Sequence, residues 1–208
     1  KSYNNKFGVP LSLFNLNAND DFGIFEVGMD KKGEIDLLSK ITRPDVGVIT
    51  NISYAHAKNF NNIKEIALAK SEIIKNIKND GAIVLNGDDQ FYDLHKKIAL
   101  RRKLKIFTFG INKNNLDIKL HSIKKEQKKY KVFIIVNNQK TYFYTSSNFR
   151  NDIQNLLATL TVITIFKNIN KLDKNIFYNH RVSEGRGDIS KIKINKKNIY
   201  LIDESYNS

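Results

Sequence analysis

Glu26, His56 and Lys70 stand at the ends or on the inward faces of otherwise apolar segments. Glu26 sits in the run FGIFEV (22–27), His56 in the polar loop after VGVIT (46–50), and Lys70 within a helical pattern covering 62–78. A carboxylate and an imidazole, with water and phosphate oxygens completing the shell, can hold Mg²⁺, a cation that uses few protein ligands. The run LNGDD adds Asn86, Asp88 and Asp89 at the end of a third apolar segment, GAIVLN (81–86). If these segments are parallel strands of one sheet, the polar groups gather beyond one edge, where open α/β sheets bind ligands. Taken singly, a strand-end Glu or a loop His is equally at home as a cap or a solvated surface group. The residues alone leave both readings open.

Lys70 is the sharper anomaly. Ile63, Ile66, Ala67, Ile73, Ile74 and Ile77 recur at helical spacing, and Lys70 fills the position that completes their stripe. Burial disfavours an ammonium ion and lowers its pKa. A neutral amine can take up CO₂ as a carbamate, an anion able to bind a cation. The competing reading is a lysine whose stem lies on the core while its charge reaches water. On the pattern alone, this second reading is favoured.

The elements that would carry these groups alternate in type. FGIFEV, VGVIT, GAIVLN and LKIFTFG (104–110) read as buried strands, with helices at 33–41, 62–78 and 89–101 between them. The first helix is expected to end before Pro44, because the residue preceding a proline is pushed out of the helical region. Such alternation implies an α/β fold, a mostly parallel sheet with helices on both faces. NLDIKLHSI, KYKVFIIV and KTYFYTS then read as a small antiparallel β meander attached to that core. NDIQNLLATLTVITIF (151–166) returns to helix despite several β-branched residues, and SKIKIN with NIYLIDE reads as a strand pair.

A chain of 208 residues with 41% hydrophobic and 11% aromatic residues suits one good-sized core. No apolar run approaches the ~18 residues needed to cross a bilayer, and the absence of cysteine excludes disulfides and thiolate metal sites. The net charge of +14 admits a nucleic-acid partner. However, the lysines are scattered among Asn and Ile along the whole chain, the signature of A/T-rich codons, and form no recognisable RNA-binding motif. An anionic nucleotide ligand remains compatible with the charge. The chain starts at Lys1 and its last strand runs into an unfinished loop, so it is expected to be a piece of a longer protein.

The segments SYNNKFGVPLSL, FEVGMDKKGEIDLL, VITNISYAHAKNF, IALAKSEI, VLNGDD, EGRGD and LIDESYNS, in this order, resemble the Mur ligase family. Within it they are most similar to the branch that adds a dipeptide. The resemblance implies that 1–208 is a central ATP-binding domain with a P-loop-NTPase-like sheet, in which 111–147 is a β-rich sub-element. The family's G-x-x-G-K-[ST] phosphate loop is not in these residues and is expected upstream. The family's N-terminal UDP-binding and C-terminal domains are absent too, so the 208 residues alone are expected not to catalyse ligation.

The implied activity is peptide ligation through an acyl phosphate in peptidoglycan precursor synthesis. Its partners would be ATP, UDP-N-acetylmuramoyl-tripeptide and D-alanyl-D-alanine, with Mg²⁺ as cofactor, in a cytoplasmic monomer. By the same resemblance, Glu26, His56 and Lys70 would hold Mg²⁺, Lys70 as a carbamate, and Lys70, His56 and Arg186 would be catalytic. Asn151, Asn155, Arg186, Asp203 and Glu204 would bind nucleotide, while Asn4, Asn5 and Asn207 would contact substrate. The alternatives are another amide ligase of the superfamily, including a folylpolyglutamate synthase-like one, a degenerate pseudo-enzyme, and a basic nucleic-acid-binding module.

Overall fold

The computed structural model describes residues 3–54, 59–178, 188–194 and 197–203. In chain order, the first half contains α1 (Gly8–Phe14), α2 (Glu34–Thr42), β1 (Val46–Ile49), α3 (Ile63–Lys70), α4 (Glu72–Asn76), β2 (Ala82–Asn86), α5 (Tyr92–Arg101) and β3 (Lys105–Gly110). The second half contains β4 (Ile118–Glu126), β5 (Lys129–Val136), β6 (Gln139–Thr145), α6 (Arg150–Phe166), β7 (Asp188–Ile194) and β8 (Lys197–Asp203).

One six-stranded sheet runs in the order β1-β2-β3-β4-β5-β6, and β7 and β8 form a separate two-stranded antiparallel sheet. β1, β2 and β3 are parallel, so Ile49, Asn86 and Gly110 end at the same edge. The meander of β4, β5 and β6 is antiparallel and joins the core through a short parallel pairing, Phe109 with Ile118 and Gly110 with Lys119. This is the α/β architecture that the alternation of apolar runs implies.

β2 is buried along its whole length, as a central strand covered on both faces must be. Its side chains alternate between two cores. Ile83 and Leu85 pack with Ile66, Ala67 and Ile74 of α3 and α4 and with Ala99 of α5. Val84 faces Leu157 and Leu160 of α6, with Phe109, Val132 and Phe143 alongside. Helices therefore cover both faces.

Three local expectations differ. The pattern at 62–78 is two helices, α3 and α4, separated at Ser71, and Glu72 at the head of α4 caps α2. Its carboxylate accepts the N–H groups of Gly33 (2.9 Å to Oε1) and Asp36 (3.1 Å to Oε2), and only 6% of the residue is exposed. The run 22–27 forms no strand. It pairs with no strand of either sheet, and Phe22 and Ile24 are 53% and 94% exposed. Finally, α1 forms where GVPLSL reads as motif rather than helix. Asn5 Oδ1 accepts the N–H groups of Phe7 and Gly8, and Pro10 falls in the first turn, where it is tolerated.

Candidate functional site

The polar loop after β2 ties the exits of all three parallel strands together. Asn86, only 5% exposed, donates its side-chain amide to the Thr50 carbonyl at 3.0 Å, holding the exit of β1. Its Oδ1 accepts the Asp88 N–H at 3.0 Å and shapes the turn. Asp88 accepts the N–H groups of Ile111 (2.6 Å), Asn112 (3.0 Å) and Lys113 (2.8 Å), gathering the loop after β3. Burial opposes the Asp88 anion, yet these N–H groups and the Arg150 guanidinium outweigh it and hold the carboxyl below the usual aspartate value. Asp89 turns the other way. Its Oδ2 accepts the Ile52 N–H at 3.0 Å, while Oδ1 accepts the Phe91 N–H at 2.8 Å at the start of α5.

Lys70 is the last residue of α3 and is half-buried, with its Nζ donating to the Asn51 carbonyl at 2.7 Å. Burial pushes this amine below the ordinary lysine value, and the Asp89 carboxylate offsets part of that shift. His95, 2% exposed, lies behind it on α5 with Nε2 at 3.0 Å from the Ala67 carbonyl. Burial lowers the His95 pKa and favours the neutral ring, which donates to that carbonyl. The inward lysine read from the helical pattern therefore has a half-buried amine with one backbone acceptor and the Asp89 carboxylate near it.

Glu26 lies on the irregular segment before α2, and its Oε1 accepts the Asn4 side-chain amide at 2.9 Å. The Asn4 carbonyl accepts the Gly28 N–H at 2.7 Å, and a Cβ at position 28 would stand 2.9 Å from Asn4 Cγ. A side chain at position 28 would therefore displace the Asn4 amide that bonds Glu26. Val27 and Met29, the neighbours of that carboxylate segment, pack into the same core as Ile52, Ile66 and Ala67. Three segments of the expected cation site thus share one core. Asn5, in contrast, is engaged in starting α1.

Asn151 and Asn155 both lie exposed on α6, one turn apart as their spacing requires. Ser147 Oγ bonds the Asp152 carboxylate and accepts the Phe149 N–H, which fixes the start of this helix. Asp203 ends β8 opposite Asp188 of β7. His56, Arg186, Glu204 and Asn207 lie outside the described residues. Among the described residues, no three His, Cys, Asp or Glu side chains cluster closely enough to hold a metal. The Glu26 carboxylate is the kind of oxygen donor a hard cation takes, whereas the Lys70 amine donates to the Asn51 carbonyl and would join a cation only once converted to an anion. Sequence reasoning placed Asp88 and Asp89 at the edge but missed their roles as backbone acceptors. Glu72 escaped it entirely.

The parallel strands and their polar exits define an open α/β protein whose candidate site lies at the carboxyl edge of the sheet. Residues 1–163 match the Mur ligase middle domain, and the chain belongs to that family. It is 31% identical over 165 residues to the UDP-N-acetylmuramoyl-tripeptide–D-alanyl-D-alanine ligase of Bacillus subtilis, covering 79% of this chain and 34% of that protein. It is 28% identical over 211 residues to the Rickettsia prowazekii ligase of the same name, covering 100% of this chain and 45% of that protein. The chain thus spans less than half the length of these relatives.

Among solved structures, MurF ligase from Thermotoga maritima in complex with ADP has a TM-score of 0.80 at 25% identity, covering 98% of this chain and 45% of that one. MurF from Acinetobacter baumannii shares the fold at a TM-score of 0.86 and 23% identity, covering 100% of this chain and 44% of that one.

Proposed function

We propose that this chain is the nucleotide-binding centre of an ATP-dependent ligase that joins D-alanyl-D-alanine to UDP-N-acetylmuramoyl-tripeptide. The observation that carries the reading is the likeness over essentially the whole chain to ligases of that name, in sequence and fold together. Likeness to a diaminopimelate-adding ligase and a folylpolyglutamate synthase falls to a TM-score of 0.55. The dipeptide-adding branch is thereby favoured.

In this reading the tripeptide carboxylate attacks the γ-phosphorus of ATP and ADP leaves. The dipeptide amine then attacks the acyl phosphate, and inorganic phosphate departs as the amide forms. Mg²⁺ would neutralise the phosphates so that one anion can attack another. Glu26, His56 and Lys70 would hold the cation. The lowered pKa of Lys70 leaves more of its amine neutral and open to CO₂, and a carbamate there would add two oxygen donors. Asn151 and Asn155 would face the nucleotide from α6, with Arg186, Asp203 and Glu204 completing that contact, while Asn4, Asn5 and Asn207 would lie toward the muramoyl substrate. The sheet edge keeps the reacting groups in register, because strand-end loops on a rigid sheet hold near-attack geometry.

A nucleic-acid-binding role is disfavoured by the lysines on the meander. Lys129 lies 3.5 Å from the Tyr144 ring centre and Lys131 lies 4.0 Å from that of Tyr142. These lysines cover ring faces that stacked bases would need.

The test is phosphate release by the full-length protein with ATP, Mg²⁺ and UDP-N-acetylmuramoyl-tripeptide, comparing D-alanyl-D-alanine with single amino acids. Release that depends on the dipeptide is expected. Release with a single amino acid but none with the dipeptide would assign the protein to another branch.

A further inference from the structure

Lys70 and Asp89 grip one peptide unit from opposite sides. The Asn51 carbonyl accepts from Lys70 Nζ at 2.7 Å, and the Ile52 N–H of the same peptide bond donates to Asp89 Oδ2 at 3.0 Å. In a trans peptide these two groups point in opposite directions, so any rotation of the plane breaks both bonds at once. The unit is fixed on both flanks as well. Before it, the Thr50 carbonyl is held by Asn86; after it, Ile52 is 6% exposed in the core beside Ile66 and Ala67. The second oxygen of Asp89 is bound to the Phe91 N–H, which locks the carboxylate to the start of α5. A carboxylate needed only to begin α5 would have no reason to reach across to the neighbouring strand's exit.

We propose that Asp89 is a positioning residue for the cation site: it orients the Asn51–Ile52 peptide so that the Asn51 carbonyl anchors the Lys70 amine. The inference rests on the assignment of Lys70 to Mg²⁺ given above. Asp89 touches neither cation nor nucleotide in this scheme and acts through the peptide it holds. Groups bonded directly to a metal's ligands change its affinity by about 10–100-fold when removed, and Asp89, one contact further out, is expected at the low end of that range.

The experiment uses the full-length protein and its Asp89→Ala, Asp89→Asn and Lys70→Ala variants. Three quantities are read: the Mg²⁺ concentration giving half-maximal phosphate release, Mn²⁺ binding in the presence of ATP by electron paramagnetic resonance, and hydrogen exchange at the Ile52 amide. For Asp89→Ala, a Mg²⁺ requirement raised about tenfold or more, weaker Mn²⁺ binding and faster Ile52 exchange are expected. Asp89→Asn keeps one oxygen of the same reach and is expected to fall between wild type and Asp89→Ala. A wild-type Mg²⁺ requirement and Mn²⁺ affinity in Asp89→Ala, with Lys70→Ala impaired in both, would overturn this inference alone. Wild-type values in Lys70→Ala too would overturn the cation-site assignment with it. Should Asp89→Ala fail to fold, Asp89→Asn decides: faster Ile52 exchange with unaltered Mn²⁺ binding would overturn the proposal.

Discussion

Asp88 and Asp89, consecutive in the chain, serve opposite neighbours of the strand they follow. Asp88 collects the backbone N–H groups of the loop after β3, and Asp89 takes the N–H of Ile52 in the loop after β1. With Asn86, they make the exit of β2 the point from which both adjacent strand exits are held. A site assembled from several loops needs such a centre, because each loop alone would sample many conformations.

Replacing Asp88 tests that role directly. Asp88→Ala leaves the Ile111, Asn112 and Lys113 N–H groups without their shared acceptor, and a loss of about 1–3 kcal/mol in unfolding free energy is expected. Because its folded-state pKa is depressed, the contribution is fully present above the unfolded aspartate value near ~4. It is lost as pH falls through the lower folded value. Urea unfolding of wild type and Asp88→Ala at neutral and acid pH should show the two curves converging on acidification.

Glu72 joins α4 to the start of α2 across 39 residues of sequence. Glu72→Ala removes the acceptor for the Gly33 and Asp36 N–H groups in a nearly buried place, and destabilisation of about 1–3 kcal/mol is expected. Glu72→Gln keeps one carbonyl oxygen and should lose less. Denaturant midpoints of the two variants measure the difference.

Buried His95 predicts a pH dependence of opposite origin from a salt-bridged histidine. Burial lowers its pKa, so the unfolded chain binds more protons than the folded one below about 6.5. Its stabilising contribution is full above that pH and declines as pH drops toward the lowered folded value. The thermal midpoint should fall between pH 7.5 and 5.5, and His95→Gln, which keeps an N–H donor for the Ala67 carbonyl, should flatten that fall.

Lys70→Ala in the full-length protein should reduce ligation by at least about a hundredfold, in line with loss of a group acting in the phosphoryl-transfer step. Added short carboxylates such as acetate should restore part of the rate if a carbamate normally stands there. Rate measurements with and without acetate, alongside Lys70→Arg as a variant that keeps charge but forms no such adduct, check this.

Much of the sheet was legible because central strands are short continuous apolar runs, and VGVIT, GAIVLN and LKIFTFG fall on β1, β2 and β3. Lys70 was legible for a related reason: one polar residue in an isoleucine stripe breaks an otherwise regular pattern. The break at Ser71 was not, nor was the reach of Glu72, the first residue of α4, to the Gly33 N–H 39 residues earlier. Local spacing carries no record of such a partner. Likewise Asp88 and Asp89 read as turn residues, which they are, but the loops whose N–H groups they take come from β3 and β1. FGIFEV has the composition of a strand, but it joins no ladder, and pairing is not written in a segment's own composition.

The central claim is that the carboxyl edge of this sheet binds a divalent cation beside ATP through Glu26. Mn²⁺ titration of the full-length protein with ATP, followed by electron paramagnetic resonance for wild type and Glu26→Gln, tests it most directly. The account expects Glu26→Gln to bind Mn²⁺–ATP about tenfold or more weakly while its thermal midpoint stays close to wild type. Indistinguishable Mn²⁺ affinity in the two proteins would contradict it.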